Sequence, residues 1–184
     1  MDSEIIEKYD LFNGKDISDS IMNEMVTIDE LNKGKKYALF ILSRRDYSKH
    51  EMIKKLQTRQ LCDKSIYKIV TWLEEKKFID DESFAYSWVQ YRIENKLMGR
   101  FLLNRELTEK GIKQSIREKV INDAFENISE ESLARKLVHQ KVDYKDFEYS
   151  NKEFKKIYNL LIRRGFSSDI AREIFFELLN KEFH

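Results

Sequence analysis

Three histidines, one cysteine and one acidic triplet are the residues of this 184-residue chain that could make bonds or hold a metal. His50, His139 and His184 lie far apart, and none stands at metal-ligand spacing from another histidine or from Cys62. Cys62 would be a nucleophile only with a base beside it, and a turn cysteine more often packs or sits exposed. Asp80-Asp81-Glu82 offers the oxygens a divalent cation prefers. No further ligand run or glycine turn follows it, and capping of a helix that carries Phe84 accounts for the acids better. His50 falls inside Ser48-Lys49-His50-Glu51, a capping box in which a hydroxyl and a carboxylate satisfy free helix-start amides. Phosphate-binding glycine loops of the GxxxxGK[ST] or GxGxxG type are absent. The expectation is a non-enzyme with no catalytic residue, cofactor or metal.

The remaining chemistry is cationic. Leu56-Gln57-Thr58-Arg59-Gln60-Leu61, Leu107-Thr108-Glu109-Lys110-Gly111-Ile112 and Leu161-Ile162-Arg163-Arg164-Gly165-Phe166 share one form: leucine, two variable positions, a base, glycine or glutamine, then an apolar residue. Arg59, Lys110 and Arg164 thus recur in register. A base near a helix C-terminus can simply complement the helix dipole, but three in register make a shared binding face credible. Total charge conceals the pattern, since 34 bases against 33 acids leave a net charge of only +1. Residues 1–32 hold nine acids and two bases, whereas residues 33–68 hold eleven bases and three acids.

These bases must be placed by helices. The chain has no proline and five glycines, so continuous helix is permitted almost everywhere. Capping boxes recur at Ser48–Glu51 and Ser150–Glu153, and Gly111 and Gly165 fit left-handed helix ends with an apolar clasp after them. Apolar residues keep helical spacing at Met52, Ile53 and Leu56, at Phe84, Trp88 and Tyr91, at Leu103 and Leu107, and at Phe154, Ile157, Tyr158 and Leu161. Trp72, Trp88 and Phe84 are expected in the packing, while Tyr47 and Tyr86 are freer for surface contact.

Each repeat reads as three helices, so the predicted fold is all-α, an elongated tandem array of three three-helix repeats with an N-terminal helical cap. The division is an acidic leader over 1–34 and repeats over 35–78, 79–128 and 129–184. A single cysteine excludes an internal disulfide framework, and no apolar run reaches the roughly 18 residues of a membrane span. The acidic start is unlike a signal peptide. A soluble cytoplasmic monomer is expected.

The chain resembles the RecX family, bacterial regulators of the RecA recombinase. The resemblance is carried by Ala38–Ser48, by Glu51–Leu56, by Phe78-Ile79-Asp80-Asp81-Glu82-Ser83-Phe84-Ala85 with Tyr91-Arg92, by Gly99 and Arg105–Ile112, and by Leu161–Phe166. It covers about residues 37–178. Departures are Arg100 where the family often has proline, Tyr47 where it often has a second arginine, and Gln60 in place of glycine. The resemblance implies a protein that binds the groove of the RecA–DNA filament and limits filament growth, ATP hydrolysis and strand exchange, with a weak direct contact to DNA. Arg44, Arg45, Lys54, Lys55, Arg59, Arg92, Arg105, Lys110, Arg163 and Arg164 are the bases expected to supply the contact face. The alternative is a direct DNA binder of helix-turn-helix type, since short helices at turn spacing also occur there.

Overall fold

A computed structural model describes residue 9, residues 17–141 and residues 150–180. Most of the leader's first half, and His184, lie outside the described residues. Among those described there are nine helices and no strand: α1 (Asp19–Leu42), α2 (Lys49–Gln57), α3 (Asp63–Glu75), α4 (Asp81–Lys96), α5 (Arg100–Glu109), α6 (Gln114–Ala124), α7 (Glu130–His139), α8 (Asn151–Arg163) and α9 (Ser168–Leu179). They form two compact units, residues 1–80 and 81–184.

In the first unit α1 and α2 both pack on α3. Ala38, Ile41, Met52, Leu56, Ile66, Ile69, Val70, Leu73 and Ile79 make its core. The sequence suggests a leader followed by a separate helix from Tyr37, yet α1 runs unbroken through residues 34 and 35. Gly34 sits inside it because α3 comes close: a Cβ there would lie 2.4 Å from Ile69 Cδ1. The start of α2 carries the complete capping box: Glu51 N–H donates to Ser48 Oγ at 3.2 Å, and Ser48 N–H donates to Glu51 Oε2 at 3.4 Å. Helix α3 starts after Cys62, whose side chain does not cap it. Glu30 of α1 serves instead, accepting from Cys62 N–H at 2.6 Å and Ser65 Oγ–H at 2.9 Å.

In the second unit α4, α5 and α6 form one three-helix group, and α7 and α8 with α9 form another. The two groups share a single core that runs from Phe84 to Leu178. Their joint is made by main chain. Gly99, the N-cap of α5, donates its N–H to Arg164 O at 2.8 Å, and Phe101 N–H donates to Gly165 O at 3.1 Å. Between them Arg100 N–H donates to Glu130 Oε1 at 2.9 Å. Three unpaired amides of a helix start are thus met by two carbonyls at the end of α8 and one carboxylate of α7. Partial positive and negative helix ends also face each other there. Such closeness requires glycine: a Cβ on Gly99 would lie 2.5 Å from Gly165 O, and one on Gly165 2.3 Å from Leu102 N.

All three repeats turn after the middle helix through a left-handed residue. Gly111 and Gly165 have φ of 74° and 84°, and Gln60 has φ of 58°. Tyr91 departs from the expected stripe and is exposed. The buried side of α4 runs through Ala85, Val89 and Ile93, which leaves position 91 beyond its edge.

Candidate functional site

The recurrent bases occupy the same structural position, at or just past the end of each middle helix, but they do different work. Arg59 follows α2 and lies over the Tyr37 ring of α1 at 4.0 Å. Lys110 caps α5 and lies over Trp88 of α4 at 4.1 Å and Phe84 at 5.7 Å. Arg164 caps α8 and donates through its guanidinium to the carbonyl of Lys96, at the end of α4. In the first two repeats the base covers an aromatic ring on the repeat's first helix. In the third it ties two repeats together.

Arg92 and Lys110 are brought together around Trp88. The Arg92 guanidinium lies 4.4 Å from the indole centroid and its Nε pairs with Glu106 Oε2 at 2.8 Å. Trp88 Nε1–H donates to the same oxygen at 2.8 Å, and Phe84 stacks on the indole at 5.8 Å. Arg92 and Glu106 are mostly buried, with 21% and 17% of their side chains exposed. A cation, an indole and a carboxylate so interlocked position helices α4 and α5 on each other.

The other six bases are exposed, as is Arg59. Arg44 lies over Phe40 at 4.4 Å. Arg45 lies over Tyr47 at 3.7 Å and pairs with Glu51 at 3.1 Å, which anchors it to the α2 capping box. Tyr47, expected at the surface, is half-buried against the first core, and the aromatic ring supplies a platform for Arg45 where the family often has a second base. Tyr86 likewise is half-buried and donates its hydroxyl to Asp123. Lys54 and Lys55 have no carboxylate partner among the described residues. Arg105 pairs with Glu109 at 3.8 Å, one turn on along α5. Arg163 Nε donates to Asn159 O at 3.1 Å.

The sequence reading named Arg163 but missed the lysines that share its face of α8. Lys152, Lys155, Lys156 and Arg163, with Asn159 and Ile162, line an open hollow of about 790 Å³. The signal was present, since these positions are the complement of the apolar stripe Phe154, Ile157, Tyr158 and Leu161. Arg100, where the family often has proline, gains from the exchange: its N–H meets Glu130, its Nη1 donates to Asn122 Oδ1 at 2.9 Å, and its guanidinium lies over Phe125 at 4.6 Å.

Among the described residues no group of three or more His, Cys, Asp or Glu is placed to hold a metal ion. No helix there is long and apolar enough to cross a membrane.

The chain is an all-helical array of three-helix repeats with bases recurring at the ends of the middle helices. The family model described as RecX, second three-helix domain, matches residues 80–121. A regulatory protein RecX of Bacillus licheniformis is 32% identical over 173 residues, covering 92% of this chain and 64% of the relative. A crystal structure of regulatory protein RecX superposes with a TM-score of 0.75 at 23% identity, covering 95% of this chain and 85% of that one. The RecX structure from Lactobacillus salivarius gives a TM-score of 0.71 at 24% identity, covering 82% and 97% respectively. The chain is thus similar to RecX proteins in sequence over more than nine-tenths of its length, and shares their fold. It spans about 62–67% of the length of these curated relatives.

Proposed function

We propose that this protein regulates the RecA recombinase in the cytoplasm, acting as a monomer that binds in the groove of the RecA–DNA filament and limits filament growth, ATP hydrolysis and strand exchange. Similarity to the RecX regulatory proteins is the observation that carries the reading. The distribution of unengaged cations supports it: Lys54 and Lys55, with Arg44, Arg45 and Arg59 beside them in sequence, give the first unit a basic surface suited to an acidic protein groove and DNA phosphates. Seven of the ten bases named above are the proposed contact residues. Arg92, Lys110 and Arg164 serve it through scaffolding, because their charged groups already hold ring, carboxylate or carbonyl partners.

The test is a titration of DNA-dependent RecA ATP hydrolysis, with filament binding followed by anisotropy at several salt concentrations. The wild type is expected to suppress hydrolysis and to bind filaments well above bare DNA at physiological salt. Lys54→Glu with Lys55→Glu is expected to weaken filament binding by about tenfold, or about 1.4 kcal/mol, with helix content unchanged. Equal affinity for filaments and bare DNA would instead support the direct DNA-binding reading. Unaltered hydrolysis at saturating protein would overturn the regulatory one.

A further inference from the structure

We infer that the outward face of α8 is a binding site for the phosphate backbone of DNA. Lys152, Lys155, Lys156 and Arg163 recur at helical spacing along it, all exposed, over roughly 16 Å of helix axis at 1.5 Å per residue. Glu153 is the one acid within α8, and it pairs with Lys156 at 2.5 Å. Lys152 and Lys155 have no carboxylate partner among the described residues, and Arg163 spends only Nε, on the backbone carbonyl of Asn159. Elsewhere in the second unit several cations are matched to acids: Arg92 to Glu106, Arg100 to Glu130, Lys119 to Glu82, Arg135 to Glu177 and Arg172 to Asp169. Lys152, Lys155 and Arg163 therefore give the face of α8 charge that no carboxylate among the described residues neutralises.

The composition of the face selects the partner. Protein interfaces are organised around buried aromatic or aliphatic anchors and are depleted in lysine. Here the apolar contribution is Ile162 alone, 40% exposed, amid three lysines, an arginine and an asparagine. Lysine, arginine and asparagine are among the side chains that hold phosphate oxygens. The hollow they line is open, as a passing strand requires, and offers no aromatic platform for stacking. The site binds backbone and carries no sequence preference. It stands independently of the RecA reading, because it is tested on DNA alone.

The probe is a fluorescein-labelled oligothymidylate, titrated with the full chain across a salt series. The variant Lys152→Glu, Lys155→Glu, Arg163→Glu removes the site. Lys113→Glu, Lys136→Glu, Lys141→Glu makes the same change in net charge at other exposed positions. Circular dichroism confirms that both are folded. A single strand loses about 0.7 in salt slope per phosphate contact, so the α8 variant should lose about 2 from the slope and roughly tenfold in low-salt affinity, while the control keeps the wild-type slope. Three results would each overturn the proposal: no wild-type binding at low salt, equal slopes in wild type and α8 variant, or equal losses in both variants. Loss of polyglutamate binding in the α8 variant with DNA binding retained would also overturn it and assign the face to an acidic protein.

Discussion

The middle helix of the first unit begins on its own side chains, whereas its counterpart in the second unit begins on another repeat. At α2 the hydroxyl of Ser48 and the carboxylate of Glu51 satisfy the helix start within four residues of sequence. At α5 Gly99 has no side chain to offer, and its amide and the next two are met by Arg164, Glu130 and Gly165, from 30 to 65 residues away. The ends differ in the opposite sense. Gln60 adopts the left-handed turn with a side chain attached, and Gly165 adopts it with backbone pressed against it. The start of α2 is thus specified locally, while that of α5 depends on a long-range fit between helix ends within the second unit, whose two repeats share one core.

The largest test of this contrast is Gly165→Ala. The new Cβ would stand 2.3 Å from Leu102 N and 2.4 Å from Leu102 Cβ, at φ of 84°. Left-handed strain of about 1–2 kcal/mol adds to overpacking of about 1–3 kcal/mol. The expected loss is about 2–5 kcal/mol, confined to the second unit. The chain's two tryptophans fall one in each unit, so Trp72→Phe leaves Trp88 as reporter of the second and Trp88→Phe leaves Trp72 as reporter of the first. A urea transition that moves for Trp88 and stays for Trp72 supports the contrast. Equal movement of both would break it.

A smaller effect of opposite sign is expected at Gln60→Gly. The left-handed conformation costs a residue with a Cβ about 1–2 kcal/mol, and glycine returns about 0.5–1 kcal/mol of that in lost chain entropy. The first unit should gain about 0.5–1 kcal/mol, seen as a higher urea midpoint for Trp72. Gly111→Gln should cost the second unit a similar amount. A destabilised Gln60→Gly variant would show that the glutamine side chain holds something the turn needs.

Much of this was legible because it is local. Ser48–Glu51 and Ser150–Glu153 announce helix starts, Gly111 and Gly165 announce left-handed ends, and the spacing of Leu56, Leu107 and Leu161 announces the repeat. The unbroken α1 was not legible, because nothing in the local sequence shows that Ile69 lies against Gly34. Glu30 serving the start of α3 and Arg164 serving Lys96 were invisible for a related reason: pairings across 32 or 68 residues leave no spacing to read. Among the candidate bases, sequence identified Arg92 and Lys110 as cations but not that Trp88 and Glu106 already occupy them. Residue type reports the charge, and only the fold reports whether it has been used.

The smallest effect concerns two carboxylates of the second unit that respond oppositely to acid. Glu177 is held below the usual glutamate range by its hydrogen bond from Arg135, whose Nε donates to Oε2 at 2.7 Å. Burial pushes Glu130 up, against the opposing pull of the Arg100 amide and guanidinium. A lowered folded value means that Glu177 contributes its full share above the unfolded value of about 4.3. That share is lost as pH falls through the lowered folded value. The raised value of Glu130 works the other way: ionising it in place costs stability, and the cost fades as pH falls from the folded value toward the unfolded one. Glu177→Gln should therefore flatten the acid-side decline of the Trp88 transition while lowering its neutral-pH midpoint by an amount within about 1 kcal/mol, since the pair is partly exposed. Glu130→Gln, whose amide oxygen can still accept from Arg100 N–H, should steepen that decline, because it removes the carboxylate that gains from acid. Urea midpoints measured from neutral pH to about pH 3 in the Trp72→Phe background read both changes, and parallel shifts in the two variants would show that neither carboxylate titrates apart from its unfolded value.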